Sequence, residues 1–309
     1  MDNQIIIREA VTEADIEVFW AQLYAYYRRD ILSDPEDGDR EHFLGGEYRS
    51  HMQAVHDRPQ DRCWYLFFER DGADIGFAMP VIFTSEDGKC FLTDFCVFPE
   101  FRGGGSGTQC AQALLRWAKE RGAQYAELNY GGDARRKRFW SRIGFLPNGR
   151  DEWGEPLMLL PPEKTVPITI ECLSDPEDWQ LRRLESGFRQ AVGEPVLTKE
   201  QQSRLAQAVR DGTLTVFLAK RGYRAVGMCS AARCFSTFGC AETGVFDDFY
   251  IEPAFRRQGI ARMLTQAAQD WARAQGLSSL TVCCAPCDEG MYQALGFSAR
   301  LGAAFAHLT

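Results

Sequence analysis

The residues best suited to chemistry lie in a short segment that occurs twice. Phe98-Pro99-Glu100-Phe101-Arg102-Gly103-Gly104-Gly105-Ser106-Gly107 has its counterpart in Glu252-Pro253-Ala254-Phe255-Arg256-Arg257-Gln258-Gly259-Ile260-Ala261. Each copy follows an apolar strand-like run, turns at a proline and opens an amphipathic helix. The shared pattern Arg-x-x-Gly-x-Gly/Ala suits a diphosphate. Amides at a helix start lack internal partners and carry partial positive charge. Glycines let an anion approach the backbone with no β-carbon in the way. Arg102, Arg256 and Arg257 add cationic charge nearby.

Other phosphate loops fit less well. A P-loop needs Gly-Lys-Ser/Thr, and neither copy has that lysine. A dinucleotide fingerprint needs a third glycine where position 108 is Thr, and the second copy has only Gly259. The preceding strands also read as antiparallel hairpins rather than as part of a parallel unit.

The register of the repeat extends beyond the loop. Asp94 pairs with Asp248, Trp117 with Trp271 and Gly122 with Gly276 at one common spacing, and Gly144-Phe145 matches Gly296-Phe297 two residues closer. A period this long signals tandem domains rather than a solenoid. The boundaries expected are a first domain over 1–161, a proline-rich linker over 162–167 and a second domain over 168–309.

Each half shows the same order of elements. In the first, a strand at 4–8 precedes helices at 12–29 and 40–56. Strands follow at 64–69, 74–83 and 90–97, turned at Asp71-Gly72 and Asp87-Gly88, dipeptides that supply positive φ. A helix from the loop to Gly122, a strand at 125–129, a helix at 134–142 and a strand near 157–160 complete it. The second half predicts strands at 168–173, 214–220, 224–232, 245–251, 279–284 and 302–308. Its helices are expected at 176–191, 199–210, 258–275 and 288–295, the third burying Met263, Leu264, Ala267, Ala268 and Trp271. Early hairpins with a late strand–helix–strand unit give an α+β class, a mixed and mostly antiparallel sheet flanked by helices.

Composition narrows the partners. The chain is 45% hydrophobic and 25% charged, as in ordinary globular proteins. No apolar run is long enough to span a bilayer and the start lacks signal-peptide character, which predicts a cytoplasmic protein without a membrane partner. Net charge is −8, all of it in residues 1–165, which argues against nucleic acid. The acidic run Asp30, Asp34, Glu36, Asp37, Asp39 and Glu41 reads first as a solvated loop. Eleven cysteines are expected to be reduced and mostly buried, including Cys283-Cys284-Ala285-Pro286-Cys287 as core thiols. Neither these nor the four histidines, His42, His51, His56 and His307, have metal-ligand spacing, so no metal is expected.

The two loops, together with Tyr292-Gln293-Ala294-Leu295-Gly296-Phe297, make the chain resemble the GCN5-related N-acetyltransferase (GNAT) superfamily, once in each half. The resemblance implies an acyl-CoA donor, acetyl-CoA first among them, and transfer to the amine of a small molecule or peptide. It places the CoA diphosphate at Arg102, Gly103, Gly104, Gly105, Ser106 and Gly107, and at Arg256, Arg257, Gln258, Gly259, Ile260 and Ala261. It also implies a sheet splayed after the fourth strand, with Val97 and Ile251 beside the thioester. A tyrosine four residues before Gly-Phe often protonates the departing thiolate in this superfamily. Tyr292 holds that position, whereas Trp140 stands there in the first half, so chemistry is expected in the second.

For a base, Asp247 and Asp248 precede Ile251, and strict alternation puts 247, 249 and 251 on one face with 248 and 250 on the other. Asp94 is the equivalent position in the first half. The run Arg135-Arg136-Lys137-Arg138 reads as a solvated helix face. The non-enzyme alternative is a CoA-binding scaffold or sensor. The two halves could form a pseudo-dimer within a monomer, or the chain could form a homodimer.

Overall fold

The computed structural model describes residues 4–34, 38–237 and 239–302. The strand expected over 302–308, apart from its first position, lies outside these residues, as do Glu36, Asp37 and His307. The chain divides into two compact units, Met1–Pro162 and Glu163–Thr309.

In the first unit, strands β1 (Ile6–Glu9), β2 (Leu66–Arg70), β3 (Ala73–Phe83), β4 (Lys89–Val97), β5 (Tyr125–Asn129), β6 (Leu146–Arg150) and β7 (Pro156–Leu160) form one sheet in the order β1-β2-β3-β4-β5-β7-β6. Only β4 and β5 pair in parallel. Alternation along β2 feeds both faces. Leu66 and Phe68 pack toward α4 (Ser106–Glu120), with Leu114 and Trp117. Phe67 joins Phe19, Trp20 and Leu23 of α1 (Glu13–Tyr26) on the other face.

Three boundaries differ from expectation for local reasons. Helix α1 ends at Tyr26 and continues as one π-helical turn, Tyr27–Ile31. The helix expected over 40–56 breaks into α2 (Arg40–Leu44) and α3 (Gly46–His56). Gly45 there is extended, and a Cβ on it would sit 2.5 Å from the Glu41 carbonyl. Strand β6 was not expected; Pro147 and Gly149 are unusual within a strand. It forms the sheet edge, where a missing N–H is tolerated. Helix α5 (Ala134–Ile143) then closes the repeat of strand and helix between β5 and β6.

The second unit holds β8 (Ile168–Cys172), α6 (Trp179–Val192), α7 (Lys199–Arg210), β9 (Leu214–Arg221), β10 (Arg224–Ser236), β11 (Ala241–Ile251), α8 (Ile260–Ala274), β12 (Leu280–Val282) and α9 (Glu289–Ala294). Its sheet order is β12-β11-β10-β9-β8, again with one parallel pair, β11 with β12. Leu181 and Leu184 of α6 pack on Val216, Leu218, Met228 and Tyr250. In α8, Leu264 and Ala268 are buried, but Met263 is exposed, contrary to the inward stripe expected. The neighbouring Thr265 takes an inward place by bonding its hydroxyl to the Ala261 carbonyl at 2.9 Å.

Glu252 ends the strand that leads into the second loop. Its buried carboxylate accepts from Arg224 Nε at 3.0 Å and Arg224 Nη2 at 2.7 Å, and also from Arg183 of α6. Removing the charge would strand two guanidiniums in a poorly solvated place. Glu252→Gln is therefore expected to cost about 3 kcal/mol, read as a lower urea midpoint for the second unit. An unchanged midpoint would show that the triad contributes nothing net.

Candidate active site

Both sheets open at the same place. Strand β4 pairs with β5 only through Lys89, Cys90 and Phe91, then runs on along β3 to Val97. Strand β11 pairs with β12 only through Gly244, Val245 and Phe246, then runs on along β10 to Ile251. In each unit the far half of the fourth strand thus faces a gap with backbone groups that no neighbouring strand uses. Such an edge can hydrogen-bond an extended, amide-bearing ligand.

The glycine loops lie just beyond these strand ends. A 3-10 turn, Pro99–Phe101 or Pro253–Phe255, leads to an arginine whose Nε bonds back to the strand's last carbonyl. Arg102 reaches Val97 O at 2.8 Å, and Arg256 reaches Ile251 O at 3.0 Å. The N-caps of α4 and α8 are Gly105 (φ 86, ψ 1) and Gly259 (φ 82, ψ −3), left-handed and with no side-chain cap. An L side chain resists that conformation. A Cβ built on Gly103, Gly104, Gly105 or Gly259 would meet nothing within 4 Å. The glycines therefore serve backbone shape, and the space over both helix starts is open. Uncapped amides with open space above them fit a diphosphate. Gly107 differs: its Cβ would approach the Phe139 ring at 3.2 Å, so it permits close helix packing.

The two loops are not equivalent in charge. In the second, Arg257 replaces Gly103 and adopts φ 62, a left-handed conformation in an arginine. Gln258 Nε2 bonds to Ala254 O at 3.3 Å, while Ile260 is buried under the helix start. In the first, Ser106 is buried and its hydroxyl lies 3.2 Å from Arg70 Nη1. Arg102 Nη2 also meets Asp30 at 2.5 Å, with Arg29 bonding the same oxygen at 2.8 Å. Burial pushes the Asp30 carboxyl up, but these bonds outweigh it and hold it below the usual range. Asp30 is thus a partner of the loop arginine rather than part of a solvated run, and the π-helical turn sets its position. Arg136 adds a long 3.4 Å bond to the Asp30 carbonyl, while Arg135, Lys137 and Arg138 are exposed as expected.

A β-bulge interrupts the fourth strand in each unit, between the pairs of Met79 and Pro80 and between those of Met228 and Ser230. In β11 the extra residue carries Asp248 to φ 46. Strict alternation fails there. Phe246 and Phe249, three apart, share the face that meets Tyr292, at centroid distances of 6.4 and 6.3 Å. Asp248 instead turns to the face that α6 covers, and Ser230 Oγ of β10 donates to Asp248 Oδ2 at 3.2 Å. Asp247 uses Oδ1 to accept from the Asp248 amide at 3.0 Å. Burial, then the Asp247 charge, raises the Asp248 carboxyl above its ordinary value.

Tyr292 on α9 packs edge-on to Phe297 as well. Burial first, with nearby acidic charge, pushes its hydroxyl up to about 12. At neutral pH it keeps its proton and can donate a hydrogen bond. In the first unit Trp140 is buried among Phe95, Phe139 and Phe145 and offers no such hydroxyl.

Sequence reasoning missed Glu185. It lines a small pocket in the second unit with Asp248 and Ser230. Burial, then the Asp248 charge, pushes it up to about 6. The signal was present: an acid stands inside the Leu181, Leu184, Phe188 stripe of α6. In the first unit the corresponding place beside Asp94 is taken by Tyr27, whose hydroxyl donates to Asp94 Oδ2 at 2.9 Å and lies 3.3 Å from the Tyr48 hydroxyl. The cysteine expectation fails in part. Cys63, Cys90, Cys96, Cys110 and Cys229 are buried, but Cys172, Cys234, Cys240, Cys283 and Cys287 are exposed and Cys284 is half-buried; at the last cluster β12 ends at Val282 and the chain leaves the sheet. No group of three or more potential metal ligands occurs among the described residues.

The Acetyltransferase (GNAT) family profile matches residues 20–145 and again 178–297. The chain belongs to that family and carries its fold twice, which makes it an N-acetyltransferase by class. No curated protein matches it. Among solved structures, an acetyltransferase of Trypanosoma brucei is 18% identical, covering 46% of this chain and 100% of its own (TM-score 0.39). An aminoglycoside acetyltransferase from an uncultured soil metagenomic sample, in complex with sisomicin, is 18% identical over 46% of this chain and 95% of its own (TM-score 0.41). Glucosamine-6-phosphate N-acetyltransferase from Arabidopsis thaliana is 12% identical over 46% and 99% (TM-score 0.38). Among the described residues no helix is long and apolar enough to cross a membrane.

Burial, only partly offset by the Tyr27 bond, raises the Asp94 carboxyl from 3.8 to about 7. Between those values the unfolded chain releases a proton that the folded one keeps. The stability linked to Asp94 is therefore full at low pH and lost as pH rises through about 7. Asp94→Asn cannot titrate, so its melting temperature relative to the parent should improve from pH 5 to pH 7.5. A difference that is constant across that window would contradict the assignment.

Proposed function

We propose that the protein transfers an acyl group, acetyl in the first instance, from acyl-CoA to a primary amine of a small molecule or peptide, and that the second unit performs the chemistry. The observation that carries this is the combination, in that unit alone, of the uncapped Gly259 loop, the open strand edge at Asp247–Ile251 and a hydroxyl at Tyr292. In the first unit Asp94 is sealed against Tyr27, and Trp140 replaces the tyrosine, which favours donor binding or a structural role there. The domains proposed are residues 1–161 and 168–309, joined by 162–167.

The residues that would hold the donor are Arg256 through Ala261 at the diphosphate and the β11 edge up to Ile251 along the pantetheine. Bound there, CoA supplies the activated acyl group. Asp248, raised above its ordinary value by burial and turned to the pocket, takes up the proton the amine must lose before it can attack. Asp247 holds the Asp248 amide and supports the bulge. Backbone N–H groups of β11 meet the oxygen that becomes negative in the tetrahedral intermediate. A hydroxyl near 12 does not surrender its proton outright to a thiolate whose conjugate acid lies near 8.5. Tyr292 acts by donating a hydrogen bond to the departing sulfur.

The first test is thiol release from acetyl-CoA with a panel of primary amines. Tyr292→Phe should lower kcat about a hundredfold with little change in KM for acetyl-CoA. An unchanged kcat would remove the tyrosine from the mechanism, and CoA binding without turnover of any amine would favour a scaffold. A second test separates the loops by CoA-induced thermal stabilisation. Gly259→Val should abolish the stabilisation of the second unit, because a β-branched residue is excluded from φ 82 and would stand in the diphosphate's space. Gly105→Val should leave it in place. Equal stabilisation of the parent and Gly259→Val would show that CoA does not use this loop.

A further inference from the structure

Arg221 is the last residue of β9 and is nine-tenths buried. Its Nε has no hydrogen-bond partner, and among the described residues no carboxylate pairs with it. Burial pulls its pKa below the ordinary arginine value. A guanidinium still does not shed its proton inside a protein, so the buried charge stays and destabilises the fold. The nearest acid is already engaged. Arg224 stands opposite Arg221 across the β9–β10 hairpin, and Glu252 accepts from Arg224 and from Arg183 of α6.

The repeat shows the same arginine when it is satisfied. Arg70 holds the equivalent place in the first unit, the last strand residue before a two-residue hairpin turn. It donates from Nη1 to Ser106 Oγ at 3.2 Å and from Nη2 to Gln109 Oε1 at 2.8 Å. Both acceptors lie in the first turn of α4. Counted from the N-cap glycines, the matching positions of α8 are Ile260 and Met263, whose side chains have no oxygen. Arg221 lies at the same end of its helix. Its Cζ is 5.7 Å from the ring centroid of Phe255, in the turn that leads into the second loop. A cation stripped of side-chain acceptors thus stands beside a helix start that no side chain caps. Helix end and guanidinium favour the same kind of ligand, an anion carrying several oxygens.

We infer that Arg221 belongs to the donor site of the second unit, as the buried cation that holds the diphosphate of acyl-CoA at the start of α8. This deepens the acyl-transfer function proposed above and rests on it for the identity of the anion. A residue kept for binding against the interest of the fold leaves a signature: its removal moves stability and affinity in opposite directions.

Arg221→Met replaces the charge with an apolar chain. Calorimetry on the full chain, with coenzyme A and with inorganic pyrophosphate, follows the binding event that Gly259→Val removes. Arg221→Met should weaken both probes about tenfold and make their binding less sensitive to salt. Lys199→Met, which removes an exposed charge on α7, should match the parent. Without ligand, Arg221→Met should melt no lower than the parent, and with acetyl-CoA its KM should rise while kcat holds. If Arg221→Met does not fold, Arg221→Gln carries the same comparison. Unchanged affinity would overturn the inference, as would weaker binding that keeps the parent's salt sensitivity, which marks a packing defect. A parent that binds neither probe at the Gly259 loop would overturn it too. Binding lost in Arg221→Met without turnover of any amine by the parent would support the inference and condemn the acyl-transfer function alone.

Discussion

The opening amides of α4 and α8 have no partner inside their helices, and the chain declines to cap them. A side chain at the N-cap would satisfy one of these donors, as Thr12 does for α1 and Thr198 for α7. At Gly105 and Gly259 the backbone instead bends left-handed with no side-chain cap, and in the first loop the Ser106 amide turns back to the Gly103 carbonyl at 3.0 Å. Holding such an end in place needs a rigid approach. In both units the arginine before the loop clasps the last carbonyl of the fourth strand, so strand end and helix start move together. On the function proposed here, the open sheet edge and the helix start are two parts of one binding track.

The same scaffold has been completed in two ways. The first unit closes its interior with aromatic rings and a hydroxyl–carboxylate bond, Tyr27 to Asp94, and gives its loop arginine a fixed carboxylate in Asp30. The second unit leaves Asp248 beside a second acid, and among the described residues no carboxylate pairs with its loop arginines. Duplication preserved the backbone device while the side chains diverged around it. An intact loop therefore says that a unit has the shape for the donor, and the surrounding acids and hydroxyls say whether it has the means for the reaction.

Much of this was legible in the sequence because the loop is local. Its glycines, proline and arginine state their conformations within ten residues, and the repeat makes the pattern unmistakable. Strand 125–129 and helix 199–210 were also legible to the residue. What escaped depends on contacts between distant segments. The bulge at Asp248 comes from the pairing of β10 with β11, and it defeats the alternation rule at the very position that matters. Edge strand β6 was hidden by Pro147 and Gly149, whose positions only the sheet order explains. Glu185 sits in an apolar stripe of α6 as a single misfit, and its acidic neighbour Asp248 is supplied by β11, distant in sequence.

Arg257 shows what the second loop gives up. Where the first copy has Gly103, this arginine is held in a left-handed twist that costs an ordinary residue about 1 kcal/mol. A glycine would relax that local strain and leave the unit sturdier at rest. On the function proposed here, the second unit favours anion binding at the expense of its own robustness. Attempts to harden it by swapping in the residues of its sibling should expect the handhold for the ligand to weaken as the fold toughens.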